Sequence, residues 1–370
     1  MRGDRDLQSA MFSYITLERR VPPDHPLRSI RVLVDRALAR MDATFSAMYS
    51  HTGRPSVAPE KLLRTLLLQV LYSIPSERRM MEQLNYNLLF RWFVGLEMDD
   101  AVWDVTVFTK NRNRLIEAEA SQHMLEAVML EAREKKLLSE EHFTVDGTLI
   151  RAWASSRSFK DKKDPPAPGK GSGHKGEVLV RDKVESSTDP DARLYKKAAA
   201  DKAVPSYQGH ALIENRNGLV IAAEASLSAT VAERDTALIL LDRAVASPEK
   251  RKPEHRETIT LGADTQYQDE VFIEQLRSRK VAPHVSEYTS GQNMNKNALT
   301  EEERQDPRFQ ISQMTRKRIE RVFGWSKLDR GLRQVKVRGL AKVDWFYRLM
   351  ITAYNLTRLR KLIPIPEAAC

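Results

Sequence analysis

At His142 the hydrophobic pattern changes period, and the change divides the chain into two kinds of structure. Upstream, apolar residues recur at helical spacing. Leu27, Ile30, Leu33, Val34 and Leu38 follow Asp24-His25-Pro26, and Leu62, Leu63, Leu66, Leu67 and Val70 follow Pro59, a residue suited to a first helical turn. Met81, Leu84 and Leu88 then run into Phe90, Trp92 and Phe93, and residues 115–135 supply one more amphipathic helix. The pair of helices flanking Ser73-Ile74-Pro75-Ser76 has the outline of a helix-turn-helix, an outline common to helical domains in general. Downstream, short β-prone runs take over. His142–Gly147 continues through Thr148–Trp153, and Gly209–Ile213 precedes Asn217-Gly218, a strong hairpin signal, with Leu219–Ala223 as the returning strand. A helix over 230–245, a strand over 258–264, a helix over 269–279, a strand over 281–285 and a helix from Arg316 complete the order, which predicts mixed α/β layers.

This reading places an all-helical domain at residues 1–135 and an α/β domain at 136–362. Between 155 and 205 the composition falls to Lys, Asp, Gly, Pro and Ser, as in Lys162-Lys163-Asp164-Pro165-Pro166, which predicts a polar insertion or flexible loop. A length of 370 residues with 41% hydrophobic content suits a globular two-domain protein. The only cysteine, Cys370, rules out an internal disulfide and a cysteine-based zinc site. With no signal-like apolar core near Met1 and no membrane-length apolar run, the expected location is cytoplasmic and nucleoid-associated, with no membrane partner.

The net charge of +10 is concentrated. Gln313–Lys361 has nine Arg and five Lys against Glu320, Asp329 and Asp344, a local +11, so the other 321 residues sum to −1. A segment of this kind attracts phosphate backbones, and Phe323, Trp325, Trp345, Phe346 and Tyr347 within it imply ordered packing. Two acids, Asp146 and Asp264, sit at the carboxyl ends of predicted strands, where an open α/β sheet places ligands. A third, Glu320, lies in the basic run Arg316-Lys317-Arg318-Ile319-Glu320-Arg321. It reads either as surface ion pairing or as a carboxylate that helps hold a cation where phosphates arrive. Three carboxylates with no cysteine cluster suit Mg²⁺, and paired ions ~3.5–4 Å apart can drive in-line displacement at phosphorus.

These residues carry a resemblance. The chain resembles bacterial insertion-sequence transposases of the DDE type, in the IS5/IS1182-like group. The likeness runs through Thr52–Ser56, Pro59–Leu63, Asn87–Leu96 and Val102–Asp104 in the helical part. It continues in Val145–Ile150, Leu261–Asp264, Arg316–Lys327, Arg338–Ala341 and Ala353–Leu356. It implies an RNase H-like catalytic core in which Asp146, Asp264 and Glu320 hold divalent metal, Mg²⁺ or Mn²⁺ and two ions. It also implies double-stranded DNA as partner, with cleavage at terminal inverted repeats, 3′-end transfer into target DNA, and a homo-oligomer on DNA. Arg316 and Lys327 are then phosphate contacts, alongside the basic Arg318, Arg321, Arg333, Lys336 and Arg338. The helical domain is expected to recognise DNA ends or join subunits. His210 reads as a sheet histidine with a hydrogen-bond duty. The chain departs from the family pattern at Gln313, where a tyrosine is usual, in Asp264–Gln268, and across 286–310. The other readings are a stand-alone nuclease of the same fold and a degenerate or domesticated DNA-binding protein without activity.

Overall fold

A computed structural model describes residues 15–49, 52, 56–161, 184–196, 202–229, 232–245, 259–290, 294–295, 297–328 and 331–363. The helical part comprises α1 (Leu17–Arg20), α2 (Pro26–Arg40), α3 (Asp42–Met48), α4 (Pro59–Leu71), α5 (Glu77–Tyr86), α6 (Leu88–Val94), α7 (Val105–Glu117) and α8 (Ala120–Glu134). Local chemistry starts several of these helices. Ser76 and Asp104 accept the backbone N–H of Arg79 and Thr106, and proline opens α2 and α4.

The strands are β1 (His142–Arg151), β2 (Phe159–Asp161), β3 (Val184–Ser186), β4 (Arg193–Tyr195), β5 (Val204–Glu214), β6 (Val220–Leu227), β7 (Thr260–Ala263) and β8 (Ala282–Val285). The main sheet runs β6-β5-β1-β7-β8, with β4 also paired to β5. β1 is antiparallel to β5 from Phe143↔Glu214 to Arg151↔Ser206, and β5 is antiparallel to β6. On its other side β1 is parallel to β7, and β7 is parallel to β8. Three antiparallel strands followed by two parallel ones form the RNase H-like sheet. The remaining helices are α9 (Ala232–Ala244), α10 (Glu270–Ser278), α11 (Glu301–Arg304), α12 (Pro307–Arg316), α13 (Arg318–Leu328) and α14 (Leu340–Leu362).

Side-chain alternation splits the core between the two sheet faces. Phe143, Val145, Leu212 and Ala222 pack with Ala237, Leu240 and Leu241 of α9 and with Phe272 and Leu276 of α10. Ile150, Ala211, Ile213 and Ala223 pack on the other face with α14, and that core continues without a break into α2, α4, α6 and α8. Helix α14 is buried nearly all round, from Val343 to Leu359, and so joins the sheet to the helical layer. Its polar residues are spent on the outer edge of β6. Asn355 accepts the Val220 N–H (3.0 Å) and donates to the Val220 carbonyl (2.7 Å). Asp344 accepts the Ala225 N–H (2.7 Å), and Arg348 donates to the Ala223 carbonyl (3.2 Å). An edge strand that would otherwise offer a free ladder is thereby covered.

Two expectations change. The Asn217-Gly218 hairpin forms, with Gly218 at φ +69°, but its connection is organised by the buried Glu214 carboxylate. That carboxylate accepts the N–H groups of Ser139, Arg216, Asn217 and Leu219. Within the polar insertion, Ser155–Asp161 and Val184–Lys196 are ordered, while 162–183 and 197–201 lie outside the described residues. The ordered part pairs β2 with β3 and lays β4 against β5. Buried Asp189 accepts from the Tyr207 hydroxyl (2.7 Å) and the Gly339 N–H (3.0 Å), and Asp191 accepts from the Leu340 N–H (2.8 Å). These carboxylates, together with buried Phe159, Val184, Ala192 and Leu194, hold the described part of the insertion against the fold and the start of α14.

Two stability predictions follow from α14. Asn355→Ala strands a buried donor and a buried acceptor, so it should lower unfolding free energy by about 2–4 kcal/mol in denaturant titration. A loss below about 1 kcal/mol contradicts the edge-covering role. Burial raises the Asp344 carboxyl to about 6 despite Arg348 at 2.9 Å. Because the folded value is raised, its stabilising contribution is complete below the unfolded value near 3.8 and is lost as pH rises through about 6. Stability of Asp344→Asn relative to wild type should therefore rise between pH 4 and 6, by up to roughly 3 kcal/mol. A gap that stays constant over that interval contradicts it.

Candidate active site

The parallel pairing of β1 and β7 brings two of the sequence-predicted acids together. The last register pair is Thr144↔Gly262, and β7 ends at Ala263. Asp264, the residue just past that strand, therefore follows the register that leads to Asp146 on β1. Asp264 does close a strand, as the sequence suggests, but Asp146 does not. It is the fifth residue of β1, which runs on to Arg151 because β5 pairs with it along that whole length. The site is thus the crevice beyond the carboxyl ends of β7 and β8, flanked by the continuing wall of β1.

Both carboxylates are half-buried and locally anchored. One oxygen of Asp146 accepts the Gly147 N–H at 2.8 Å. One oxygen of Asp264 accepts the Gln266 N–H at 2.9 Å and so caps the 3-10 turn Thr265–Tyr267. That turn carries Tyr267 inward. Its hydroxyl is buried and has no hydrogen-bond partner among the described residues. Burial raises its pKa, and the negative charges of Glu233, Asp146 and Asp264 push it the same way. Tyr347 on α14 presents a second buried hydroxyl without a hydrogen-bond partner among the described residues, its pKa raised by burial and by Asp344 and Asp146.

Glu233, on the first turn of α9, was not singled out by the sequence, where Ala232-Glu233-Arg234-Asp235 reads as an ordinary acidic helix start. Its side chain packs over Gly147, and Gln208 donates to its Oε1 at 3.2 Å. His210 keeps the structural duty expected of it. It is fully buried, its Nε2 is 2.8 Å from the Ser226 hydroxyl, and burial lowers its pKa to about 3.

Glu320 is exposed on α13, which packs against β1. Among the described residues no three His, Cys, Asp or Glu side chains converge closely enough to hold one ion. The start of α13 is fixed by Arg318, whose guanidinium donates to the carbonyls of Asn215 and Arg216 at the hairpin. Gln313 donates to the His284 carbonyl and accepts from Ser286 and Arg316, so it ties α12 to β8 and orients the Arg316 guanidinium. Arg321, Arg333, Lys336 and Arg338 are exposed and Lys327 is half-buried; the Lys336 ammonium reaches the Pro75 carbonyl at 3.1 Å. Arg348 and Arg358 of the basic segment are instead committed inside the fold, to Asp344 and to the Asn217 carbonyl.

The side chains grouped at the crevice offer oxygen donors, which suit a hard divalent cation such as Mg²⁺ or Mn²⁺. Carboxylates gathered at one crevice also repel one another, and a cation relieves that repulsion.

A family model described as a transposase DDE domain matches residues 138–356, and one described as a transposase domain (DUF772) matches residues 15–114. No curated protein matches the chain. Among solved structures, a piggyBac transposase synaptic complex with hairpin DNA is 9% identical, covering 90% of this chain and 75% of its own, with a TM-score of 0.38. A Mos1 mariner paired-end complex with Mn is 14% identical over 91% of each chain, with a TM-score of 0.21. Likeness at that level fixes no residue correspondence. No helix among the described residues is long and apolar enough to cross a membrane.

Since the Tyr267 hydroxyl has no partner to lose among the described residues, Tyr267→Phe should leave thermal stability unchanged or slightly raised. A loss above about 1 kcal/mol in denaturant titration contradicts that geometry.

Proposed function

The chain belongs to the DDE transposase family, whose domain model spans residues 138–356, and from that premise we propose that Asp146, Asp264 and Glu320 hold the divalent metal of its DNA-cutting site. The register that leads to Asp146 on β1 and to Asp264 just past β7 carries this reading. Glu320 supplies the third carboxylate from α13, a helix packed on β1 and anchored at its first residue by Arg318. When bound, the ions, two of Mg²⁺ or Mn²⁺, lower the pKa of an attacking hydroxyl and stabilise charge on the leaving oxygen.

The chain's own residues do the remaining work. The register of β1 and β7 sets where Asp146 and Asp264 leave the sheet. Arg316, steadied by Gln313, and Lys327 neutralise phosphate oxygens beside the crevice, the first as a planar fork and the second as a point charge. Arg321, Arg333, Lys336 and Arg338 extend this contact along the DNA backbone. Arg318 contributes mainly by holding α13 in place. The substrate is double-stranded DNA, cut at the inverted repeats that bound the element and joined through its 3′ ends to target DNA. The helical residues 1–135 recognise the DNA end or hold a second copy of the chain, since two ends must meet.

Asp146→Asn and Asp264→Asn should each reduce strand cleavage to background in Mg²⁺ and Mn²⁺ while DNA binding stays within about twofold. Cleavage at the wild-type rate by either purified variant contradicts the assignment. Arg321→Ala and Lys336→Ala should weaken DNA binding and each lower the slope of log affinity against log salt by about 1. An unchanged slope removes that residue from the phosphate contacts.

A further inference from the structure

We propose that the cleft where α14 meets α2, α4 and α13 binds phosphate groups along a DNA backbone, through Arg321 of α13 and through Arg360 and Lys361 of the last turn of α14. The inference rests on reading double-stranded DNA as the partner, and it adds a contact surface outside the crevice of Asp146 and Asp264.

The first observation is the cleft itself. Helix α14 packs on each of the other three helices, and a cavity of about 380 Å³ opens where they meet. Tyr72 and Trp325 give it aromatic walls, with the Trp325 and Tyr354 rings meeting edge to face at 5.7 Å between centroids. The second observation is charge. Arg321, Arg358, Arg360 and Lys361 line the cavity, and no acid among the described residues lines it. The side chains of Arg321, Arg360 and Lys361 make no hydrogen bond or ion pair among the described residues. Arg358 donates from Nη2 to the Asn217 carbonyl, which leaves its charge unneutralised, and its buried Nε has no partner among the described residues.

The third observation is that local structure does not account for the set. Arg360 and Lys361 suit the carboxyl end of α14, where the helix dipole favours cations. Arg321 lies near the amino end of α13, where the dipole disfavours one. Cations drawn from two helices into one acid-free cavity repel, and an anion seated among them relieves that repulsion. A DNA backbone fits better than a small anion. Each strand presents a phosphate about every 3.4 Å of helix axis, so one backbone can engage cations on both helices at once. The cleft also adjoins the site already described, because Arg321 directly follows Glu320.

The test is binding of a short labelled DNA duplex by the full chain, followed by fluorescence anisotropy over a range of salt concentrations. Arg360→Ala and Lys361→Ala should each weaken binding and lower the slope of log affinity against log salt by about 1. Arg360→Lys keeps the charge and should restore the slope. Lys135→Ala removes an exposed cation that does not line the cleft, and its slope should match wild type. An equal loss in Lys135→Ala overturns the inference, since any surface charge would then serve. Unchanged slopes in Arg360→Ala and Lys361→Ala beside a lowered slope in Lys336→Ala overturn the cleft and leave the DNA reading in place. No DNA binding by the wild-type chain removes both. A rise in wild-type melting temperature with inorganic phosphate, beside unchanged DNA slopes, gives the cleft to a free anion and likewise overturns the DNA assignment. Should an alanine variant fail to fold, Arg360→Gln or Lys361→Gln decides by the same slope.

Discussion

Strand β1 is paired with β5 along its length on one side, but on the other it pairs with β7 over its first residues and then only at Arg151, which bridges to Gln334. That asymmetry is what the rest of the molecule is arranged around. Antiparallel pairing with β5 carries β1 to Arg151, while β7 and β8 stop level with Val145, so a step is left in the sheet edge between Val145 and the Arg151–Gln334 bridge. Asp146 and Asp264 stand at the step, one on the continuing strand and one just past the end of the stopped one. The backbone register of β1 and β7, two residues before them, sets where both side chains leave the sheet.

What supports that step is helix α14. Its apolar surface joins the sheet to the helical layer, and its Asp344, Arg348 and Asn355 occupy the outer edge of β6. Gly339, at φ +85°, lets the chain enter α14 where Asp189 and Asp191 from the insertion receive the first N–H groups. The insertion, the edge strand and the long helix are therefore one connected support. It also places Tyr347 beside Asp146 from the sheet face opposite α9.

Much of this was legible in the sequence. The change of period at His142, the Asn217-Gly218 hairpin, and the alternation of strands and helices after it are local signals, and the sheet order agrees with them. Asp146 and Asp264 stood out as candidates because each ends or interrupts a short apolar run beside a glycine. The length of β1 was not, because its second half is stabilised by β5, far along the chain. The approach of Glu233 to Gly147 was hidden for a similar reason: the two are far apart in the chain and nothing local connects them. The charge of the C-terminal segment was legible as a total but not in its division. Arg318, Arg348 and Arg358 serve the fold, whereas Arg321, Arg333 and Arg338 remain on the surface. The described parts of the insertion escaped a composition argument because a few residues suffice: Phe159, Val184, Ala192 and Leu194 enter the core, and Asp189 and Asp191 add hydrogen bonds.

The central claim is that the step beside β1 is a divalent-metal site. Anomalous diffraction from crystals grown with Mn²⁺ tests it most directly. The account predicts a peak in the crevice beyond β7, about 2.0–2.3 Å from carboxylate oxygens of both Asp146 and Asp264. Mn²⁺ peaks only elsewhere, with these two carboxylates unliganded at saturating metal, would contradict it.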